Sequence, residues 1–193
     1  MKKLLSILFI TFIFNSPLMA DNMEEVNSLL KDSVGKVISL LQDSTLEREI
    51  KKEEVMKIIR PIFDFPLMAK LALGRKFWST LNHEQKSEFI SLFIKQLEDS
   101  YFNKAMMFSN EELTFETPIK SGKKIHILTN IISPDKKITM FYKFYNKKGL
   151  WKIYDLEINE ISIVKSYGSQ YTQALNNGSV EELLAKMRKK ELD

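Results

Sequence analysis

The apolar positions of this chain change period once and then change back. Between residues 23 and 108 they recur at steps of three and four; between 125 and 158 they alternate; from Ser162 onward the helical step returns. A period near 3.6 buries one stripe of a helix, and a period of two buries one face of a strand. The chain is thereby confined to an α+β architecture: helices, a curved sheet, then helices that pack back on it. The strongest stripe is Phe89, Phe93, Leu97 and Tyr101, which places large apolar groups on one side of a long helix.

Local signals set the boundaries. Met23, Val26, Leu30, Val34, Val37 and Leu41 form the stripe of a first helix. Ser44 with Glu47 reads as the capping box of a second. That helix should end near Arg60, because the residue before Pro61 disfavours the helical conformation. A third runs through Met68 and Leu71 to Leu73, with Gly74 as its left-handed cap. Asn82 and Gln85 cap the long helix. Strands are expected over residues 125–132, 138–145 and 151–158, with a weaker one over 113–119. Pro134-Asp135 and Lys147-Lys148-Gly149 supply turns, so the sheet is expected to be mostly antiparallel. A helix over 162–175 breaks at Asn177-Gly178, and Ser179 with Glu182 caps the last one.

The N-terminus reads as an export leader. Lys2 and Lys3 precede an apolar run over residues 4–14, then Asn15, Ser16, Pro17 and the tripeptide Leu18-Met19-Ala20. The run is shorter than the ~20 residues that span a membrane. Cleavage is expected after Ala20, which makes 1–20 a signal peptide and 21–193 a single domain. No cysteine follows the run, so a lipoprotein anchor is excluded. Removing 20 of the 193 residues leaves 173 and lowers the formal net charge from +4 to +2. The only arginines are Arg48, Arg60, Arg75 and Arg188, and scattered lysine is a poor nucleic-acid footprint. The absence of cysteine also excludes disulfides, thiolate metal sites and a cysteine nucleophile.

Catalytic motifs are missing. There is no Gly-x-Ser-x-Gly, no His-Glu-x-x-His and no phosphate-binding glycine loop. The histidines are His83, at a helix start, and His126, on a strand. His126 could approach Asp155 across the sheet and form an acid–base pair. The competing reading has Asp155 bonded to backbone groups or to an arginine such as Arg75.

Two stretches carry a family resemblance. One is Asp64-Phe65-x-x-Met68-Ala69-x-x-x-Leu73-Gly74-Arg75-x-x-Trp78, continued by Gln85, Phe89, Phe93 and Tyr101. The other is Trp151-Lys152-Ile153-Tyr154-Asp155-Leu156, followed by Ile161-Ser162-Ile163-Val164-x-x-Tyr167-x-x-Gln170-Tyr171. Together they resemble the MlaC, or toluene-tolerance, family of periplasmic phospholipid-binding proteins. Glu160 stands where that family usually has Gly, and Ser166-Tyr167-Gly168 where it usually has Asn-Tyr-Arg.

The resemblance implies an NTF2-like core with an apolar cavity between sheet and helices, and no catalysis. It implies a soluble carrier of glycerophospholipid, held as cargo with no cofactor or metal. The partners it implies are an outer-membrane MlaA-type lipoprotein with a porin and an inner-membrane ABC transporter bearing MCE domains. The outcome would be outer-membrane lipid asymmetry. The candidate lipid-binding residues are Phe65, Met68 and Leu71 from the third helix, and Phe89, Phe93 and Leu97 from the long one. Met140, Tyr142, Phe144 and Ile153 join them from the strands, and Val164 and Tyr167 from the helix after. Rival readings are a module for another apolar ligand, such as a lipoprotein acyl chain or a hopanoid. A hydrolase using Asp155 and His126 and an interaction protein with a solid core also compete.

Overall fold

The apolar stripes and alternating faces meet in one interior. The computed structural model describes residues 18–107, 111–134 and 136–189. Helices α1 (Leu18–Gln42), α2 (Arg48–Ile59), α3 (Phe65–Trp78) and α4 (His83–Ala105) come first. Strands β1 (Glu112–Phe115), β2 (Ile119–Ser121), β3 (Lys124–Ser133), β4 (Lys136–Lys147), β5 (Leu150–Ile158) and β6 (Ile161–Ser162) follow. Helices α5 (Ile163–Asn176) and α6 (Val180–Lys189) close the chain. Of the expected leader, residues 1–17 lie outside the described residues, as does Asp135 of the expected Pro134-Asp135 turn.

The sheet order is β1-β3-β4-β5-β6, with β2 also paired to β3, and every strand pair is antiparallel. The weak strand expected over 113–119 is two short ones on the same edge of β3. Pro118, which has no N–H to donate, falls between them. Lys143 pairs with Asp155 and Phe144 with Ile153, so Tyr154 is an extra residue on β5. Such a bulge bends and twists its strand. It also reverses parity, so Trp151, Ile153, Leu156 and Ile158 share the inner face while Asp155 and Glu157 point outward with Lys143.

Several local expectations are met and some are corrected. Asn82 and Gln85 form a reciprocal capping box at α4, and Ser179 and Glu182 form one at α6. Ser44 and Glu47 do not cap α2. Glu47 is itself the N-cap and makes no side-chain cap bond, while Asp43 accepts from Thr45 at 2.8 Å through the backbone N–H. Gly74 has φ 80 and ψ 154, outside the left-handed helical basin, and α3 resumes beyond it to Trp78. The glycine is therefore a kink rather than a stop. Asn159 and Glu160 both take positive φ in the turn between β5 and β6. Glu160 thus occupies a conformation that glycine adopts without steric cost. At Gly168, an added Cβ would lie 3.0 Å from the carbonyl oxygen of Ala72, so the missing side chain lets α5 approach α3.

Asp64 ties the helical half to the sheet. It is the N-cap of α3, where Oδ1 accepts from the Leu67 N–H at 3.2 Å. Its Oδ2 accepts from Lys147 Nζ at 2.7 Å and from the Tyr145 hydroxyl. Its own N–H donates to the Ile153 carbonyl at 2.8 Å. Burial alone would raise the Asp64 carboxyl, but bonds from Lys147, Tyr145 and Leu67 hold it below the ordinary carboxylate range.

A depressed folded-state pKa adds stability above the unfolded value of about 3.9, and that stability is lost as pH falls through the folded value. Asp64→Asn should cost about 1–2 kcal/mol at neutral pH. It should also flatten the loss of stability on acidification below about pH 4. Urea unfolding at neutral and acid pH reads both; an unchanged pH slope would remove Asp64 as the cause. Glu160→Gly should raise stability by up to about 1 kcal/mol by relieving the left-handed turn. A lower thermal midpoint for that variant would contradict the strain assigned here.

Candidate functional site

The interior divides into a filled half and an open half along one helix face. Phe89 and Phe93 on α4 are 0 % exposed. Phe89 meets Tyr171 edge-to-face at 5.2 Å, and Phe93 meets Tyr167 edge-to-face at 5.6 Å. Tyr171 donates its hydroxyl to Gln96 at 2.7 Å, and the Tyr167 and Ser100 hydroxyls lie 3.1 Å apart. Ile127, Phe144 and Ile153 of the inner sheet face belong to the same buried cluster. One helical turn beyond Phe93 the same α4 stripe continues as Leu97 and then Tyr101, and there the space is not filled.

A cavity of about 750 Å³ opens at that point. One wall is α1, through Leu30, Val34, Val37, Ile38 and Leu41. A second is α2 with the entry to α3, through Val55, Met56, Ile59, Phe65 and Met68. A third is α4, through Ile94, Leu97, Tyr101, Phe102 and Ala105. The floor is the inner sheet face, through Ile131, Ile138, Met140, Tyr142, Leu156 and Ile158. Polar groups gather at the rim: Gln42, Lys104, Glu111, Ser133, Lys136 and Asn159. Met107, also on the lining, is 80 % exposed. The chamber is therefore apolar inside and wet at its edge, the usual build of a small-molecule pocket.

The outer walls stand because they are clasped from outside. Leu41, Val55 and Phe102 form a small separate cluster that joins α1, α2 and α4. Lys51, although buried, donates to the Leu41 carbonyl at 2.8 Å, a cation at the end of α1. Along the α2–α4 seam Arg48 bonds Asn103, Lys52 bonds Asp99 at 3.4 Å, and Arg60 bonds Glu98 at 3.3 Å. Exposed pairs of this kind contribute at most about 1 kcal/mol each. Inside, the Tyr142 hydroxyl donates to Met140 Sδ at 3.5 Å. Burial pushes its phenol well above the ordinary range, so it stays neutral.

Five of the twelve candidate residues lie on the cavity: Phe65, Met68, Leu97, Met140 and Tyr142. Phe89, Phe93, Phe144, Ile153, Val164 and Tyr167 are in the filled core instead. Leu71 is 47 % exposed on the outside of α3. The periodicity could rank these residues as apolar and inward, but it could not say where side chains stop meeting. The walls from α1 and α2 were missed, although the stripe from Val34 to Leu41 carried their signal.

The other chemistry weighed from sequence does not assemble. His126 and Asp155 share the outer sheet face, but Lys143 sits between them in register. Lys143 bonds Asp155 at 3.0 Å and also bonds Glu157. Asp155 further accepts from Ser162 Oγ at 2.8 Å and from the Val164 N–H at 3.3 Å, which ties β5 to the start of α5. That set replaces the Arg75 contact considered above. Burial, then the charges of Lys143 and Lys124, lowers the His126 pKa. Gly168 packs on α3 and is absent from the cavity lining. Among the described residues no three His, Asp or Glu converge as a metal site, and no helix is long and apolar enough to cross a membrane.

Comparison with known proteins adds the following. The family model described as MlaC protein matches residues 31–189. The intermembrane phospholipid transport system binding protein MlaC of Haemophilus influenzae is 24 % identical over 171 residues, covering 86 % of this chain and 78 % of that protein. A solved phospholipid-binding protein from Ralstonia solanacearum, in complex with a phospholipid, superposes with a TM-score of 0.77 at 19 % identity. That match covers 84 % of this chain and 94 % of the other, and it establishes the shared fold.

The two halves should respond differently to truncation. Phe93→Ala should cost about 3–5 kcal/mol, because it empties a packed site. Ile138→Ala should cost about 1 kcal/mol, because its side chain already borders open space. Equal losses in denaturant titration would mean that both positions lie in ordinary core.

Proposed function

This chain belongs to the MlaC family, and from that premise we propose that it is a periplasmic carrier of glycerophospholipid. The observation that carries the reading is an unfilled apolar chamber with a polar rim, in a protein that otherwise packs its core. At roughly 30 Å³ per methylene, close to the share of liquid volume of a water molecule, about 750 Å³ accepts about 25 such groups. That is most of two acyl chains. The head group then stays at the rim, where its charge remains hydrated.

Energetics favour a closed chamber for such cargo. Each buried methylene contributes ~0.8 kcal/mol, so exposing a diacyl lipid to water costs on the order of 20 kcal/mol. Transfer between two apolar environments has no such barrier in its end states. The carrier therefore exchanges lipid by docking rather than by release into water. The family name of its relatives supports partners of that kind. We assign it an outer-membrane MlaA-type lipoprotein with porin on one side and an inner-membrane MCE-domain ABC transporter on the other. Its output is outer-membrane lipid asymmetry.

In this reading residues 1–20 are a signal peptide removed after Ala20, and 21–193 are one lipid-binding domain. The contacts are Phe65, Met68, Leu97, Met140 and Tyr142, joined by Val37, Ile59, Tyr101, Ile138 and Ile158. No catalysis, metal or cofactor is assigned. The separation of His126 from Asp155 by Lys143 supports that choice.

Native mass spectrometry of protein recovered after export should show a bound mass, and solvent extraction should identify it as diacyl glycerophospholipid. Ile138→Trp, which fills the floor, and Met140→Glu, which charges it, should each reduce occupancy at least tenfold while the protein stays folded. A protein that emerges empty under these conditions, or occupied by a different apolar molecule, would end the phospholipid assignment.

A further inference from the structure

The end of the sheet opposite the rim carries a second surface. The rim residues Ser133, Lys136 and Asn159 lie at one end of β3, β4 and β5. At the other end the β2–β3 and β4–β5 hairpins turn side by side, with Lys124 paired to Tyr145 and Lys147 to Leu150. The length of β4 sets these ends about 35 Å apart.

Lys123, Lys124, Lys147 and Lys148 are exposed on these two tips. Four adjacent strands span only about 15 Å, so these charges share one small area. Lys147 is held by Asp64, which is itself buried. Among the same residues stand two aliphatic side chains in water: Leu150, 63 % exposed, and Ile119, 56 % exposed. Beneath them Tyr145 and Tyr154 meet edge-to-face at 5.9 Å, and Lys124 Nζ lies 4.3 Å from the centre of the Tyr154 ring.

We infer that the paired hairpin tips dock on an anionic phospholipid bilayer. The side-chain chemistry selects that occupant over an acidic protein. Arginine, the residue suited to bidentate carboxylate recognition, does not occur anywhere in the sheet region. Lysines act as point charges on long apolar stems, which suits a diffuse negative surface. Each is attracted to such a surface, and the attraction is screened by salt. Leu150 opens β5 directly after the β4–β5 turn, Ile119 opens β2 within a few residues of the β2–β3 turn, and the nearby tyrosines suit the head-group level.

The consequence is an orientation. Docked by its tips, the chain holds the cavity rim away from the lipid surface, toward proteins that project from it. Bilayer attachment and cargo exchange then use opposite ends of the sheet.

The test is co-sedimentation of exported, processed protein with vesicles of phosphatidylcholine, alone or with phosphatidylglycerol. At about 50 mM salt, partition into the anionic vesicles should exceed that into neutral ones at least tenfold, and about 500 mM salt should abolish the difference. Lys123→Glu with Lys148→Glu should reduce anionic partition at least tenfold, and Leu150→Ser several-fold. The matched pair Lys70→Glu with Lys186→Glu changes net charge equally, on exposed helix surface, and should leave most of the partition. Near-ultraviolet circular dichroism and lipid occupancy should be unchanged in every variant. Equal binding to both vesicle types, or equal loss in the matched pair, would overturn the assignment. So would retention on an immobilised acidic protein that depends on Lys123 and Lys148 without vesicle binding. Loss of bound lipid with vesicle partition intact would instead count against the carrier reading alone.

Discussion

Edge-to-face contacts of Phe89 with Tyr171 and of Phe93 with Tyr167 set the spacing between α4 and α5. The buried face of the sheet closes on the same block. Aromatic rings bury large areas and hold defined geometries, so a few of them can carry a disproportionate share of packing. That concentration is what allows the remaining length of the α4 stripe to border empty space. A protein whose stability was spread evenly along the stripe would collapse into the gap or unfold around it.

The open half is held by a different kind of contact. Leu41, Val55 and Phe102 join three helices at the outer edge, and a line of ion pairs and hydrogen bonds runs down the α2–α4 seam. These are weak individually and exposed to salt. The arm formed by the end of α1 and by α2 is thus less firmly attached than the aromatic block. Elements of low local stability are the ones from which moving parts are drawn. At the junction between the halves stands Asp64, buried, capping α3 and bonded to β4. The motif that begins at Asp64 is accordingly structural at its first residue and cavity-lining at Phe65 and Met68.

The two ends of the sheet differ in character although the same strands run through both. One end is the polar rim of an apolar chamber; the other is a lysine-rich pair of turns with exposed aliphatic strand residues nearby. The outer face between them is occupied by Lys143, Asp155, Glu157 and Ser162, whose mutual bonds anchor α5. This explains why a strand histidine and a strand aspartate, close in register, form no reactive pair. The lysine between them pairs with the carboxylate, and burial together with that lysine's charge lowers the histidine pKa.

Element type, order and capping were legible in the chain because they rest on local physics. The period of apolar residues, the Asn82–Gln85 and Ser179–Glu182 boxes and the glycine turn after β4 each act within a few residues. The same locality accounts for the errors at Ser44, where the N-cap position fell on Glu47, and at Gly74, where the helix resumed beyond the kink. The cavity was not legible, because a side chain that meets a partner and one that meets a void have the same composition and spacing. Phe93 and Leu97 are one turn apart on one stripe and share one buried cluster, yet Leu97 also borders the cavity and Phe93 does not. Only the distance between α4, α1 and the sheet separates them, and that distance is a sum over contacts made far along the chain.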